Sequence, residues 1–300
     1  MGRIFAVESV GLMARLARAE LFAADAVAIV HVMNRVVRRC FLLGDDPVTE
    51  KNYDHRKLWI DDQLVLQAKY FAIDLPCQAI MSNHLHLVLR SRPDVVSEWD
   101  DTEVAKRWLM LCPVERDENR QPKEPTEFEL NQIRNNKEKV ADIWSRMSDV
   151  SWWMRLLSEN IAQRANAEDE EVGKFWPARF RAVRLLDETA VLACAAYVDL
   201  NPIRAALAET IEDSDFTSAQ QRAVDLKGRV SGDEVRVSGK VDRADKPRLA
   251  PGGSGTRRSG RHLAQVELQR RVGETGPNVH KAGARCSNQG FLPMSTADYL

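Results

Sequence analysis

The sequence predicts an α+β fold in which a mostly antiparallel sheet has helices packed on one face and a disordered C-terminal tail follows. Residues 26–37 are rich in β-branched side chains, and two more strand-like runs, 71–81 and 84–90, are joined by the turn-forming pair Ser82-Asn83. The two runs joined by this turn are expected to form an antiparallel hairpin, with helices packed against one face of the sheet, which is typical of this fold class.

Each later element has a local signal. The expected helices cover residues 48–70, 101–111, 151–167 and 187–200. The first mixes apolar periods, the third has amphipathic spacing, and the last opens with an acidic turn. Residues 113–143 are dense in charged residues and are interpreted as an insertion that is helical in part, and 175–184 as a short extended segment.

The chain is expected to divide into three parts: an N-terminal extension at 1–25, a catalytic domain at 26–221, and a basic low-complexity tail at 222–300. Beyond Phe216 no aromatic residue occurs until Phe291, and Gly, Ser, Arg and Lys dominate. Such a segment buries too little apolar surface to offset its ordering entropy, so the tail is predicted to be disordered.

Cysteine usage and hydropathy indicate a cytoplasmic protein without a membrane span. The five cysteines form no Cys-x-x-Cys pair, and lie at Cys40, Cys77, Cys112, Cys194 and Cys286. This pattern disfavours a disulfide framework and a cysteine-ligated zinc. No run approaches eighteen apolar residues, and charged residues interrupt the first twenty.

Charge is distributed unevenly. The net charge is −1, yet residues 226–261 contain ten Lys or Arg against four Asp or Glu. The remainder is therefore acidic, which is unfavourable for nucleic-acid binding because phosphate contacts supply much of its affinity.

The run HLHLVLR at residues 84–90 is a candidate metal site. The two-residue period of a strand places His84 and His86 on one face and the leucines on the other. Two adjacent imidazoles on a rigid strand can bind a metal ion together. The alternative is two ordinary histidines on a sheet surface, which is the commoner case for an arbitrary His-x-His.

A second candidate lies in the segment AAYVDLNPIR at residues 195–204. The four-residue spacing places Tyr197 and Asn201 on one helix face. Taken alone, Tyr197 is more often a residue at the edge of the core. Because Pro202 disfavours helical geometry at the residue before it, Asn201 is nearly as often an N-cap as a ligand.

Three blocks together resemble a known family. The stretch MSNHLHLV at 81–88 resembles the HUH motif (histidine, bulky hydrophobic, histidine) of the REP-associated and related insertion-sequence tyrosine transposases. The stretches FWPARF at 175–180 and YVDLNPIRA at 197–205 resemble the block that holds the nucleophilic tyrosine, and HVMNR at 31–35 resembles the first strand. The blocks occur in the family's order over residues 27–218.

This resemblance implies an HUH endonuclease, ferredoxin-like fold and a function. His84 and His86 would hold Mg²⁺ or Mn²⁺ with Asn201 as a further ligand, and Tyr197 would form a 5′-phosphotyrosine link with single-stranded DNA. The expected activity is DNA cleavage and strand transfer on hairpin-containing element ends, by a homodimer, without a nucleotide cofactor. Compact members place the tyrosine nearer the HUH strand, whereas in this chain 111 positions separate His86 from Tyr197. Typical members of the family also have a more basic face than this chain.

The DNA-binding candidates combine arginines with an aromatic residue. They are Arg35, Arg38, Arg39, Trp176, Arg179, Arg181 and Arg184. Arginines interleaved with aromatic side chains suit single strands, on which bases stack. Equally compatible with the sequence is a core role for Trp176 and Phe180, with the arginines paired to the acidic run 168–171.

Two other functions share parts of this pattern. A histidine-triad nucleotide hydrolase is disfavoured because that pattern needs a third histidine where this chain has Val88. The second is a domesticated single-stranded nucleic-acid-binding protein that keeps the fold without cleaving.

Overall fold

The computed structural model describes residues 26–37, 42–47, 50–230, 258–268 and 283–300. The N-terminal extension, Arg38 and Arg39 lie outside these residues. The strands are β1 (Ile29–Arg35), β2 (Ile73–Ile80), β3 (His84–Ser91) and β4 (Arg181–Leu185). The helices are α1 (His55–Tyr70), α2 (Pro93–Val96), α3 (Asp101–Leu111), α4 (Glu127–Arg134), α5 (Lys137–Arg146), α6 (Val150–Asp169), α7 (Glu188–Asp199), α8 (Asn201–Arg204), α9 (Ser218–Val230) and α10 (Thr296–Tyr299).

The sheet is antiparallel in the order β2-β3-β1-β4, so β3 and β1 are its central strands. The predicted hairpin of β2 and β3 and the α+β class are confirmed. On β1, Met33 lies opposite His86, Arg35 lies opposite His84, and His31 lies opposite Val88. Directly paired residues share a face, so this register places the outward residues of β1 beside both predicted metal ligands.

One face of the sheet carries the main core. Val30 and Val32 of β1 and the leucines of β3 are fully buried there. They belong to one apolar cluster with residues of α1 and α6, such as Leu64 and Trp153. The alternation of leucine and histidine in β3 therefore separates core from site, as the strand period predicts.

The opposite face, which we call the histidine face, carries a smaller helical layer. Val191, Ala195 and Val198 of α7 pack with Cys77 of β2 and Val88 of β3. Small and branched residues at this spacing let α7 lie close to the sheet. This layer adds to the predicted helices on the core face, and it brings α7 over the strand with the two histidines.

The segment predicted as a charged insertion contains two short amphipathic helices. α4 begins with a capping box in which Thr126 and Glu129 bond reciprocally. Leu130 and Ile133 of α4 and Val140 of α5 are buried in the main core cluster. The helices of this segment are therefore packed into the domain.

The C-terminal segments 258–268 and 283–300 lie against the sheet, which differs from the predicted disorder of the tail. Val266, Phe291 and Leu292 are buried in the cluster on the histidine face. The predicted boundary at 221/222 also falls inside α9. The few apolar residues of these segments are sufficient to order them, because the sheet provides an apolar surface against which they pack. Among the described residues, no helix combines the length and apolarity needed to cross a membrane.

Candidate active site on the histidine face

His84 and His86 project side by side from the start of β3. Their ring centroids are 4.9 Å apart, with the rings nearly perpendicular. His84 is half-buried, whereas His86 is only 2% exposed. The strand thus delivers both imidazoles to one place, as predicted.

Burial keeps both rings neutral. Desolvation lowers the pKa of His84 to about 4, helped by the positive charge of Arg35. It lowers the pKa of His86 to about 3, helped by the neighbouring histidines and Arg35. At neutral pH each ring therefore has an unprotonated nitrogen that can act as a ligand.

Hydrogen bonds select which nitrogen is free. The Nδ1 of His84 lies 2.6 Å from the Asn83 Oδ1, a carbonyl oxygen that can only accept, so Nδ1 carries the proton. The Nδ1 of His86 lies 2.9 Å from the Nε2 of His31. In both rings Nδ1 is engaged by a neighbour. The Nε2 of His84 is therefore available to a cation, and the Nε2 of His86 is available in the tautomer whose Nδ1 donates to His31.

His31 is a site residue that the sequence reasoning missed. Its ring stacks on His86 with centroids 5.1 Å apart and an interplanar angle of 14°. Burial lowers its pKa. The signal was the alternation within β1, but locating His31 beside His86 also requires the β1-β3 register, which local patterns do not fix.

Tyr197 lies on α7 above the histidines. Its ring meets His86 edge-on at a centroid distance of 5.5 Å and His31 at 6.0 Å. The tyrosine is 41% exposed, so its side chain can be reached from solvent. The guanidinium of Arg204, a second residue that the sequence reasoning missed, lies 4.9 Å from the centre of the tyrosine ring.

Asn201 is the first residue of α8, and the N-cap of that helix is Leu200. The alternative interpretation of Asn201 as an N-cap is therefore wrong. Its side chain is half-buried, and its Nδ2 is buried without a hydrogen-bond partner among the residues that the structure describes. An unsatisfied buried amide is costly, which is a feature of groups that meet a ligand.

The predicted DNA-binding residues separate into groups. Arg35 and the exposed Arg181 lie on the histidine face, because they pair with His84 and Met33 respectively. Arg184 pairs with Val30 and lies on the other face, and Arg179 is exposed before β4.

Trp176 is held by the core, since its Nε1 donates to the Ser158 carbonyl at 3.0 Å and its ring packs on the core cluster. Phe180 also packs on that cluster. The acidic run supplies Glu168 and Asp169 as partners of Arg56. The core role of the two aromatic residues is thus present, and these two carboxylates are engaged by α1.

A metal ion at this site would need ligands beyond the histidines. Within the described ranges, no group of three or more His, Cys, Asp or Glu side chains is arranged to hold a metal ion. The residues nevertheless fit a cation that keeps open positions, because two neutral imidazoles have a free nitrogen and an orienting partner each.

Comparison with known proteins finds a similarity to a solved structure. No protein-family model matches the sequence, and no curated protein is similar to it. A solved structure of a REP-associated tyrosine transposase bound to a REP hairpin is similar to this chain, with 9% sequence identity and a TM-score of 0.37. The similarity covers 66% of this chain and 79% of that one.

Proposed function

We propose that this chain is a metal-dependent single-strand DNA endonuclease and strand transferase, a transposase of the HUH tyrosine class. The observation that supports this most strongly is the convergence of Tyr197 with His86 and His31 at ring distances of 5.5 and 6.0 Å. An accessible phenol beside neutral imidazoles fits covalent phosphate chemistry better than a core role.

In this proposal His84 and His86 would hold Mg²⁺ or Mn²⁺ through Nε2, and Asn201 would supply a further contact. The bound cation would polarise the phosphate and orient it for in-line attack. His31 and Asn83 fix the orientation of the two ligand rings through their Nδ1 atoms.

Tyr197 is the nucleophile. Its Oη bonds to the scissile phosphorus and loses a proton, while the bond from phosphorus to the 3′-oxygen breaks and that oxygen gains a proton. The products are a 5′-phosphotyrosine link and a free 3′-hydroxyl. Because the link conserves the phosphodiester energy, strand transfer needs no nucleotide cofactor.

The proposed partner is single-stranded DNA, with a hairpin beside the cleaved strand. Arg35, Arg181 and Arg204 surround the site with positive charge on the histidine face. Since Tyr197 lies over the histidines of its own chain, one subunit contains all the proposed groups, and a homodimer would serve DNA-end pairing instead of completing the site.

The test is covalent capture of DNA. A pool of hairpin-bearing oligonucleotides labelled at the 3′ end is incubated with the protein and Mn²⁺, and label that co-migrates with denatured protein is measured. Tyr197→Phe should abolish the adduct and keep DNA binding, because it removes only the hydroxyl. Tyr53→Phe, at a tyrosine outside the histidine face, is the matched control.

A second outcome would favour the alternative function, a single-stranded nucleic-acid-binding protein that does not cleave. The observation that supports this alternative is that, among the described residues, no three His, Cys, Asp or Glu side chains are grouped to hold a metal ion. In that case wild-type protein binds the oligonucleotides but forms no adduct with either metal. An adduct that persists in Tyr197→Phe, or in the presence of a chelator, would contradict the proposed mechanism.

A further inference from the structure

A polar pocket of about 330 Å³ lies on the core side of the molecule, between α1, α6 and the loop 116–122. Three arginines line it, Arg116 and Arg120 from the loop and Arg164 from α6. The amide side chains of Asn119, Asn160 and Gln163 complete its polar wall. Because α1 and α6 pack on the sheet face opposite the histidines, this pocket is separate from the candidate active site.

The charge of the three arginines is not neutralised by ion pairs with the described carboxylates. Among the described residues, none of the three forms an ion pair; the Arg116 Nη1 donates to the carbonyl of Arg120 at 2.9 Å, and the Arg164 guanidinium lies 3.8 Å over the Trp59 ring. Asp62 also lines the pocket, but it pairs with Arg258. Asp62 and Glu168 are both near enough to raise the pKa of Arg164 in part. Glu168 also bonds His55 and Arg56.

The three arginines of the pocket repel one another. Burial lowers the pKa of Arg116 and of Arg164, and the charge of Arg120 lowers both further. Guanidinium groups stay charged at neutral pH, so an anion that enters the pocket would reduce this repulsion.

Hydrogen bonds within the loop that bears two of the arginines stabilise its conformation. The Asp117 Oδ1 accepts hydrogen bonds from the backbone N–H groups of Asn119 and Gln121, and the Arg120 N–H donates to the Asp117 carbonyl at 2.9 Å. Arg120 has a φ of 62°, a left-handed conformation that these bonds stabilise. The arginines are thus presented on a preformed turn, which reduces the entropic cost of binding.

We propose that this pocket binds a phosphate group, with the three arginines as ligands. Planar guanidinium groups match phosphate oxygens in a bidentate manner, and the amides offer additional donors. The phosphate could belong to a nucleic-acid backbone or to a free phosphate compound, and the chemistry of recognition is the same. The proposal goes beyond the chemistry assigned to Tyr197 and does not require it.

The test compares two double variants with the same change of charge. Arg116→Gln combined with Arg120→Gln removes two pocket ligands, and Arg134→Gln combined with Arg155→Gln removes two arginines that pair with glutamates elsewhere. Affinity for a labelled single-stranded oligonucleotide is measured over a salt series, and melting temperature is measured with inorganic phosphate and pyrophosphate.

If the pocket binds nucleic acid, the pocket variant loses affinity and its salt-dependence slope decreases by about 1.4, about 0.7 for each single-strand phosphate contact. The control variant should show a clearly smaller change in slope. If the ligand is a free phosphate, oligonucleotide binding is unchanged, but the rise in melting temperature with pyrophosphate is lost in the pocket variant alone. Equal behaviour of the two variants in both assays would overturn the proposal.

Failure of the proposed DNA cleavage is distinguishable from failure at this pocket. Tyr197 adduct formation at saturating oligonucleotide should be the same in the pocket variant and in wild type, because the pocket holds none of the reacting groups. A wild-type protein that forms no adduct would leave the binding measurements fully interpretable.

Discussion

The hydrogen bond between His31 and His86 determines how the second proposed ligand is presented. It occupies the Nδ1 of His86 and holds the ring against the stacked imidazole of His31. A ligand ring that is oriented in this way binds a metal ion without first losing rotational freedom. His31 thus acts on the proposed cation through His86, as a positioning residue.

We expect His31→Phe, which keeps an aromatic ring but no hydrogen-bonding nitrogen, to lower adduct formation and apparent Mn²⁺ affinity by about 10–100-fold, the usual effect of losing such a partner. The measurement is the rate of adduct formation over a Mn²⁺ titration. His55→Phe, at a histidine that bonds Glu168, is the control. An unchanged Mn²⁺ titration in His31→Phe would reject the positioning role.

Single residues show what strand period can predict and what it cannot. Alternation within one strand was sufficient to place His84 and His86 on the same face. Locating His31 required the pairing of Arg35 with His84 across two strands far apart in the chain. Arg204 reaches the Tyr197 ring only because the chain turns at Leu200 between two helices, which a continuous helical period does not describe.

At the scale of elements, α7 is anchored through its last residue. Asp199 is buried, and its Oδ1 accepts hydrogen bonds from the Ser218 hydroxyl and from the Ala219 N–H. Its Oδ2 accepts from the Tyr299 hydroxyl at 2.5 Å. The residue two positions after Tyr197 is therefore fixed from two directions, which orients the helix that bears the proposed nucleophile.

Burial raises the pKa of Asp199, and the charge of Arg222 opposes the shift only in part. A carboxyl group whose pKa is higher in the folded protein contributes stability below its unfolded pKa and loses it as pH rises through the folded value. The side chain of the Asp199→Asn variant does not ionise. We therefore expect the free energy of unfolding of this variant to increase relative to that of wild type from pH 4 to pH 7.

Urea unfolding at several pH values over this range measures that difference, with Asp213→Asn as a control at an exposed carboxylate. A difference between Asp199→Asn and wild type that does not vary with pH would contradict a raised pKa. Tyr299 and Cys77 are the other titratable groups near Asp199, and burial raises the pKa of both beyond this range.

Residues 113–143 are helical in part, as predicted, but their composition did not indicate which side chains are buried. Each of α4 and α5 buries only two apolar residues, Leu130 with Ile133 and Val140 with Ile143. A stripe this short is indistinguishable in sequence from a solvated charged helix. α1 mixed its periods for a similar reason, because it buries the polar residues Arg56 and Gln67 against partners on α6.

Across the whole molecule, the C-terminal segment is joined to the sheet by a buried charge cluster. Asp74 of β2 accepts hydrogen bonds from Arg90 at 2.6 Å, from Arg92 at 3.2 Å and from the Ser287 hydroxyl. Arg90 also donates to the carbonyl of Gly290. Burial alone would raise the pKa of Asp74, but the charges of Arg90 and Arg92 outweigh it and hold the pKa below its ordinary value.

This cluster explains why the order of residues 283–300 could not be predicted from the sequence of the tail. Its own composition offers little to bury, and its order depends on charged groups that lie about two hundred positions earlier in the chain. A local window contains neither partner. The strands and the His-x-His site, in contrast, are encoded by neighbours in sequence and were predicted from them.

Asp74→Asn should therefore destabilise the whole molecule. It leaves Arg90 buried without its carboxylate, and breaking a buried ion pair on one side costs about 3–5 kcal/mol of unfolding free energy. Asp142→Asn, at an exposed pair with Arg146, should cost less than about 1 kcal/mol. Urea unfolding of both variants gives the comparison, and similar small losses would contradict a structural role for the cluster.

The same substitution should release the C-terminal segment before the domain unfolds. Arg285 would then become accessible to trypsin, and Tyr299 would lose its position beside Asp199, so α7 would be held from one direction only. Cleavage after Arg285 should be faster in Asp74→Asn than in Asp142→Asn under native conditions, and Tyr197 adduct formation should decrease with it. Faster cleavage with undiminished adduct formation would show that the segment stabilises the fold without positioning the tyrosine helix.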